Sequence, residues 1–95
     1  FVPFFGVNTA TVKAPAQLAK AGRAEVIPWV TTRKPDGRYH ISLYPSIKSK
    51  FSGDEHEDAV TINQFIEARV RENPEQYLWV HRRFKTRPEG EASFY

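Results

Sequence analysis

The sequence has no cysteine and no methionine among its 95 residues. Without cysteine the chain has no disulfides, no thiolate nucleophile and no cysteine metal ligands, while its redox compartment is left open. No apolar run approaches the ~20 residues needed to cross a bilayer, so we predict no transmembrane helix in these residues. A chain this short can bury only about 60–65% of its unfolded surface, which allows one small domain at most.

The residues that are present are typical of a folded protein, because 40% of them are hydrophobic and 14% are aromatic. The chain opens on Phe1-Val2-Pro3-Phe4-Phe5-Gly6, with neither an initiator methionine nor the basic start of a signal peptide. This opening is typical of a sequence that begins in the middle of a β-strand. We therefore interpret the 95 residues as a fragment of a larger protein.

The first third of the chain predicts a strand, a helix and a second strand. The apolar residues 2–5 predict a buried strand, and the polar residues 8–13 predict a loop. Residues 14–21 fit a helix that Gly22 terminates, and residues 24–30 fit a second strand. Strand, helix and strand within ~30 residues predict a right-handed parallel crossover.

The middle of the chain predicts a hairpin followed by a long helix. The turn sequence Lys34–Gly37 precedes residues 39–44, which alternate in polarity and predict a strand with one apolar face. Ser52 and Glu55 have the spacing of a capping box, with the serine before the first turn. Apolar residues then recur at helical spacing, which predicts a helix over residues 54–72.

The end of the chain predicts a short helix and an extended surface tail. Pro74 suits the first position of the short helix, and the tail begins at Thr86. The three side chains that follow Gln76 are expected to pack inward, namely Tyr77, Leu78 and Trp79.

Few residues have the spacing of a catalytic or metal site. The acidic residues 54–58 could form a metal or acid–base cluster, but helix capping accounts for them more simply. His40, His56 and His81 lie far apart in the sequence, so we expect no metal site. The chain also contains neither a Gly-x-Ser-x-Gly elbow nor a glycine-rich phosphate loop.

The basic segment, residues 81–87, is the main candidate site in a chain whose net charge is +3. It is either a solvated basic face or a clamp for phosphate, sulfate or sugar-acid groups, which arginine binds with paired hydrogen bonds. Trp79 and Phe84 could stack on bases, but the chain lacks the aromatic-rich strand motif of RNA-binding sheets. The four candidate anion-binding residues are Arg82, Arg83, Lys85 and Arg87.

The run Pro74–Pro88 resembles the C-terminal signature of the bacterial lipid A biosynthesis acyltransferases, in particular their lauroyl acyltransferase branch. Three earlier segments, Val2–Gly6, Val26–Val30 and Arg33–Gly37, are similar to other segments of that family and occur in the expected order. The resemblance extends over essentially all 95 residues.

The resemblance implies an α/β fold, in which this chain is the C-terminal part of a glycerolipid-acyltransferase-like mixed sheet with flanking helices. It also implies transfer of a fatty acyl chain from acyl carrier protein to a hydroxyl of a lipid A precursor, without a further cofactor. The family works at the cytoplasmic face of the bacterial inner membrane, so the expected partners are acyl carrier protein, the lipid A precursor and the membrane surface. No nucleic acid is expected.

The family's catalytic motif is a histidine, four residues and then Asp or Glu, with the histidine as general base. Here the fifth residues after the three histidines are Pro45, Thr61 and Thr86, so the motif is absent. We therefore expect residues 1–95 to be the C-terminal portion of a single catalytic domain, with no catalytic residue of its own and no activity alone. The apolar pocket that sets acyl chain length is expected upstream as well.

The resemblance also assigns roles to two groups of residues. Family members have a run of threonines after the Phe-Gly segment, to which only Thr9 and Thr11 could correspond as part of an active-site loop. The basic segment would bind the anionic precursor or acidic carrier protein, or instead anchor the tail. Two alternatives for the whole chain remain, an acyltransferase of another glycolipid and a stand-alone basic module that binds anions or nucleic acid.

Overall fold

The protein is a small mixed α/β structure with two separate antiparallel sheets of two strands each. The computed structural model describes all residues, 1–95. Neither helix combines the length and the apolar character that crossing a membrane requires. The elements in chain order are β1 (Val2–Phe4), β2 (Val7–Thr9), α1 (Ala14–Gly22), β3 (Trp29–Arg33), β4 (Tyr39–Leu43) and α2 (Glu55–Glu72), with single 3-10 turns at Lys48–Lys50 and Pro74–Gln76.

The predicted parallel crossover is wrong. β1 pairs with β2 and β3 pairs with β4, both antiparallel, so α1 connects two different sheets. Each strand takes the partner that a tight turn places beside it, and such local pairing needs no crossover. The predicted strand 24–30 is displaced, because Pro28 has no N–H for a ladder: β3 begins only at Trp29 and continues to Arg33.

The turn between β1 and β2 consists of Phe5 and Gly6, which both have positive φ, at 50° and 77°. Two positive φ values define the tight turn whose twist matches that of the paired strands. Gly6 adopts this conformation freely, whereas Phe5 is strained in it. The Phe5 N–H donates to the Glu67 carboxylate at 2.6 Å, and the Arg71 guanidinium lies 4.8 Å from the Phe5 ring, so α2 holds the turn in place.

Helix α1 confirms the predicted helix but ends differently. Gly22 is its last helical residue, and the left-handed residue beyond it is Arg23, at φ 47°. The N–H groups of Arg23 and Ala24 donate back to the carbonyls of Lys20 and Ala19, at 3.4 and 3.0 Å. The helix therefore closes with the usual C-terminal geometry, but arginine occupies the position that favours glycine.

Helix α2 matches the predicted residues 54–72, but its cap is not the predicted capping box. Asp54 is the N-cap, and its carboxylate accepts from the Glu57 N–H at 3.0 Å. The Ser52 and Gly53 N–H groups instead donate to the buried Asp58 carboxylate, at 2.8 and 3.2 Å. Two carboxylates thus organise the start of α2, in agreement with the interpretation of the acidic residues as helix caps.

The hydrophobic core lies where β1 packs against α2, and it is small. Only 10 of the 95 residues are buried, and Val2, Phe4, Ala59 and Val70 are among them. The molecule measures 46 × 39 × 17 Å with a radius of gyration of 15.0 Å, whereas a compact chain of this length has about 12.4 Å. The protein is therefore a thin slab that leaves many apolar side chains in solvent.

Candidate functional site

The basic segment is a succession of turns that lies against the β1–β2 hairpin. The His81 N–H donates to the Leu78 carbonyl at 3.0 Å, and the Lys85 N–H donates to the Arg82 carbonyl at 3.1 Å. Phe84 packs between Phe4 of β1 and Phe94 of the tail, with ring centroids 6.0 and 5.8 Å away. This aromatic contact fixes the segment to the core.

Arg83 ties the basic segment to the loop that follows β2. Its guanidinium donates to the Ala10 carbonyl at 2.7 Å and to the Thr11 hydroxyl at 3.1 Å. The same group lies 5.0 Å from the centroid of the Phe4 ring, so its flat face is covered as well. Hydrogen bonds from a charged donor to a fixed carbonyl are among the stronger ones in proteins. Arg83 therefore acts as an anchor within the chain.

Arg87 is a second anchor, four residues further along the chain. It donates to the Asn8 carbonyl at 2.7 Å, forms an ion pair with Glu91, and stacks on Phe94 at 4.5 Å. Its side chain is only 10% exposed. Both ends of the guanidinium are thus engaged inside the protein, although its buried Nε has no hydrogen-bond partner.

Arg82 and Lys85, in contrast, point into solvent. The Arg82 guanidinium lies 5.7 Å from the centroid of the Tyr95 ring, and neither Arg82 nor Lys85 forms an ion pair or hydrogen bond through its side chain. The exposed His81 lies beside them in sequence. Of the four predicted anion-binding residues, two are therefore used internally and two are free to meet a ligand.

The two candidate threonines lie beneath the basic segment and not on its surface. Thr9 is fully buried, and its hydroxyl donates to the Val7 carbonyl at 2.8 Å. The Thr11 hydroxyl accepts from the Asn63 amide at 3.3 Å and from Arg83 at 3.1 Å. Thr11 thus connects α2 to the basic segment through side-chain hydrogen bonds.

Sequence reasoning missed Asn63, which is 1% exposed and joins three parts of the fold. Its amide donates to the Pro3 carbonyl of β1 at 3.1 Å as well as to Thr11. Asn63 stands on the same helical stripe as the buried Ala59 and Val70. A polar residue on a core-facing stripe is the signal that could have indicated a buried hydrogen-bonding role.

The prediction that three side chains pack inward after Pro74 is wrong for two of them. Leu78 and Trp79 are exposed, and only Tyr77 is half-buried. The indole N–H of Trp79 donates to the Pro74 carbonyl at 2.6 Å, which turns the ring along the surface. The core is too thin here to accept both residues.

No group of three or more His, Cys, Asp or Glu side chains is arranged to hold a metal ion. Of the acidic residues 54–58, Asp54 caps α2, Asp58 accepts from loop N–H groups, and Glu55 pairs with Lys13. The arrangement offers exposed cations on a fixed backbone, which can bind an anion, and no nucleophile with an adjacent base.

Comparison with known proteins relates the chain to one family. A sequence model of the bacterial lipid A biosynthesis acyltransferases matches residues 1–86. The chain is 42% identical to the lipid A biosynthesis lauroyltransferase of Escherichia coli over its whole length, and 40% identical to the palmitoleoyltransferase of the same organism. A lipid A biosynthesis acyltransferase of Haemophilus influenzae is 35% identical over 96% of the chain.

These relatives are much longer than the chain. It spans about a third of their length, 32% of the lauroyltransferase, 31% of the palmitoleoyltransferase and 28% of the Haemophilus protein. The match nevertheless extends over nearly all of the 95 residues, including the basic segment, and it confirms the resemblance noted in the sequence. The chain therefore belongs to the bacterial lipid A biosynthesis acyltransferase family.

Proposed function

We propose that the 95 residues are the C-terminal portion of a single catalytic domain in a longer lipid A acyltransferase. The observation that carries this proposal is the whole-chain similarity to relatives named as lauroyl- and palmitoleoyltransferases of lipid A biosynthesis. In this proposal the parent protein transfers a fatty acyl chain from an acyl carrier protein thioester to a hydroxyl of a lipid A precursor. The two helices and two hairpins then complete a larger glycerolipid-acyltransferase-like sheet.

The chemistry of the transfer is assigned to residues outside this chain. A general base must remove the proton of the acceptor hydroxyl as it attacks the thioester carbonyl. None of the three histidines here is followed at the family's spacing by a carboxylate, and all three are exposed. The base is therefore expected upstream, in a parent protein held at the cytoplasmic face of the inner membrane.

The role proposed for this portion is to contact an anionic substrate. Arg82 and Lys85 supply two exposed cations, while Arg83 and Arg87 fix the backbone that carries them. The lipid A precursor carries phosphates and sugar acids, and acyl carrier protein is acidic, so either presents suitable groups. Thr11 supports the segment from below and is not expected to touch the substrate.

The test is an acyl-transfer assay with the full-length protein, labelled acyl carrier protein thioester and a lipid A precursor. Labelled product should form with the precursor that carries its sugar acids and fall when these are removed. Transfer that ignores the sugar acids and proceeds with a different glycolipid would support the alternative acyltransferase.

The alternative, a stand-alone binding module, leads to different expected results. Its gene would encode no upstream histidine and carboxylate pair, and the 95 residues alone would bind anions or nucleic acid as a stable monomer. Fluorescence anisotropy with a labelled oligonucleotide and with acyl carrier protein distinguishes these ligands. Saturable oligonucleotide binding by the full-length protein, without acyl transfer, would contradict the proposed function.

A further inference from the structure

The β3–β4 hairpin presents its large apolar side chains to solvent, whereas only Val30 is apolar among the residues on its other side. The pairs Trp29–Leu43, Thr31–Ile41 and Arg33–Tyr39 place alternate residues of the two strands on one side. The four large side chains of this side, called here the outer face, are Trp29, Tyr39, Ile41 and Leu43, which are 54–72% exposed.

The opposite side of the hairpin faces α2 across a cleft of about 550 Å³. Thr32, His40 and Ser42 line this cleft from the hairpin, and Phe65 and Arg69 line it from α2. An isolated sheet in water would bury its apolar side and expose its polar one. The reversed arrangement indicates that the outer face is covered in the complete protein.

Both edges of the hairpin carry unpaired backbone as well, and the β3 edge is the one that another part of the chain, Gln76, already meets. The Arg33 N–H and C=O face away from β4 and pair with the Gln76 side chain, at 2.8 and 3.1 Å. Because bonding alternates along an antiparallel strand, the N–H and C=O of Trp29 and Thr31 face the same way. No hydrogen bond of the β3–β4 connection or of any side chain reaches them. Two residues of unpaired backbone thus lie beside the outer face.

We propose that the outer face and the open edge at Trp29 and Thr31 are the docking surface for the remainder of the parent acyltransferase. That remainder packs an apolar layer on the outer face and adds a strand beside β3. The inference rests on the proposed function, in that it takes the chain to be part of a longer protein. The relatives support this occupant, since two thirds of their length has no counterpart here.

A lipid surface is a less suitable occupant. Burying an unpaired strand edge in hydrocarbon costs several kcal/mol for each N–H or C=O, because lipid tails offer neither a donor nor an acceptor. The charged turn of the hairpin, with Lys34, Asp36 and Arg38, also carries both signs. A layer of protein satisfies the edge and covers the outer face at once.

A second copy of the chain is also a poor fit. Five residues at ~3.4 Å each and two strands across give the outer face a footprint of about 17 × 10 Å. A stable interface between two proteins buries about 800 Å² on each partner. The outer face is too small to hold a dimer alone, whereas it suffices as one contact within a domain.

The test uses the full-length protein with single cysteines, after replacement of any other cysteine. Leu43→Cys and Ile41→Cys report on the outer face, and Arg38→Cys at the exposed turn is the matched control. In the detergent-solubilised monomer, maleimide should modify the two outer-face thiols at least about tenfold more slowly than the control, because they react only when the packing opens. All three should react equally fast in urea.

Residue-resolved hydrogen exchange of the same protein tests the edge. The Trp29 and Thr31 amides should exchange at least about tenfold more slowly than the amide of Asp36 at the turn, which donates no hydrogen bond, because an added strand protects them. A detergent micelle can shield a thiol but cannot accept these N–H bonds, so the two measurements together identify a protein layer.

Three results would overturn the inference. If the outer-face thiols react as fast as the control, nothing covers the outer face. If their protection grows with protein concentration together with a dimer mass, a second copy covers it. If their protection appears only with added lipid vesicles, a membrane covers it. Neither measurement needs turnover. A full-length protein that protects these sites but transfers no acyl chain would refute the proposed function and leave this inference standing.

Discussion

Arg82 and Arg83 are adjacent in the sequence, yet their surroundings differ completely. Arg83 donates to the Ala10 carbonyl and the Thr11 hydroxyl, while the Arg82 side chain makes no hydrogen bond and its guanidinium lies 5.7 Å from the centroid of the Tyr95 ring. The charges of the basic segment therefore divide between those held inside the chain and those left exposed. Composition could predict the cluster, but only the folded chain shows which guanidinium is already occupied.

For Arg83→Ala we expect a loss of about 1.5–3 kcal/mol in the free energy of unfolding of the full-length enzyme, the typical cost of losing charged hydrogen bonds. Its KM should change little. Arg82→Ala should leave the melting temperature unchanged and lower kcat/KM about ten- to a hundredfold, mainly through KM. Arg82→Lys should recover only part of the loss, since a point charge cannot form paired hydrogen bonds.

Thermal unfolding and steady-state kinetics on the same preparations decide between these roles. Equal melting temperatures for Arg82→Ala and Arg83→Ala would show that Arg83 is not an anchor. A KM unaffected by Arg82→Ala would remove that residue from the binding surface.

Asp58→Asn should destabilise the start of α2. The buried carboxylate accepts from the backbone N–H groups of Ser52 and Gly53, and an amide would turn one donor toward them. We expect a cost of about 1.5–3 kcal/mol in chemical denaturation of the full-length protein. Glu57→Gln, an exposed residue of the same turn, is the control and should cost less than about 0.5 kcal/mol. Equal values for both variants would contradict the assigned role of Asp58.

At the scale of elements, α1 ends on a residue that its position disfavours. Arg23 adopts φ 47°, a conformation that costs a residue with a Cβ about 1 kcal/mol and glycine almost nothing. Arg23→Gly should therefore raise the free energy of unfolding by about 1 kcal/mol. Ala21→Gly, two residues earlier within the helix, should lower it by a similar amount. Denaturant titration that gives both changes the same sign would show that the end of α1 is placed differently.

The elements also separate what local pattern could predict from what it could not. Helix α2 and strand β4 follow from apolar spacing and lie within a residue of their predicted bounds. The strand β2 was missed because it is only three residues long and because its Asn8 and Thr9 open the polar stretch that was predicted to be a loop. Its partner β1 holds it through the tight Phe5-Gly6 turn, a pairing that residue-by-residue propensity does not contain.

For the whole molecule, the decisive observation is that fifteen large hydrophobic residues remain exposed while seven form the buried hydrophobic core. We predict that the 95 residues alone self-associate at micromolar concentration, because the open edge of β3 can pair and because exposed apolar side chains extend well beyond the outer face. Light scattering coupled to gel filtration measures the mass. A monomer that unfolds cooperatively would contradict this prediction and favour a stand-alone module.

The isolated chain should also lack acyltransferase activity, since it contains no histidine and carboxylate at the family's spacing. Labelled acyl carrier protein thioester and a lipid A precursor should yield no product above the background without protein. The full-length protein in the same buffer is the positive control. Turnover by the 95 residues would refute the assignment of the general base to the upstream region.

The sequence alone determined the mixed α/β class, the long helix α2, the basic segment and the family to which the chain belongs. These features depend only on residues that are close together in the sequence, so any segment that contains those residues shows them. The tertiary structure alone decided that β1 pairs with β2 and not with the strand after α1, that Arg83 and Arg87 are anchors, and that the predicted β3–β4 hairpin turns its apolar face outward. The β1–β2 pair forms through a tight turn that residue propensities do not contain, whereas the other outcomes depend on contacts between residues far apart in the chain, such as Arg83 with Ala10, Asn63 with Pro3 and Gln76 with Arg33.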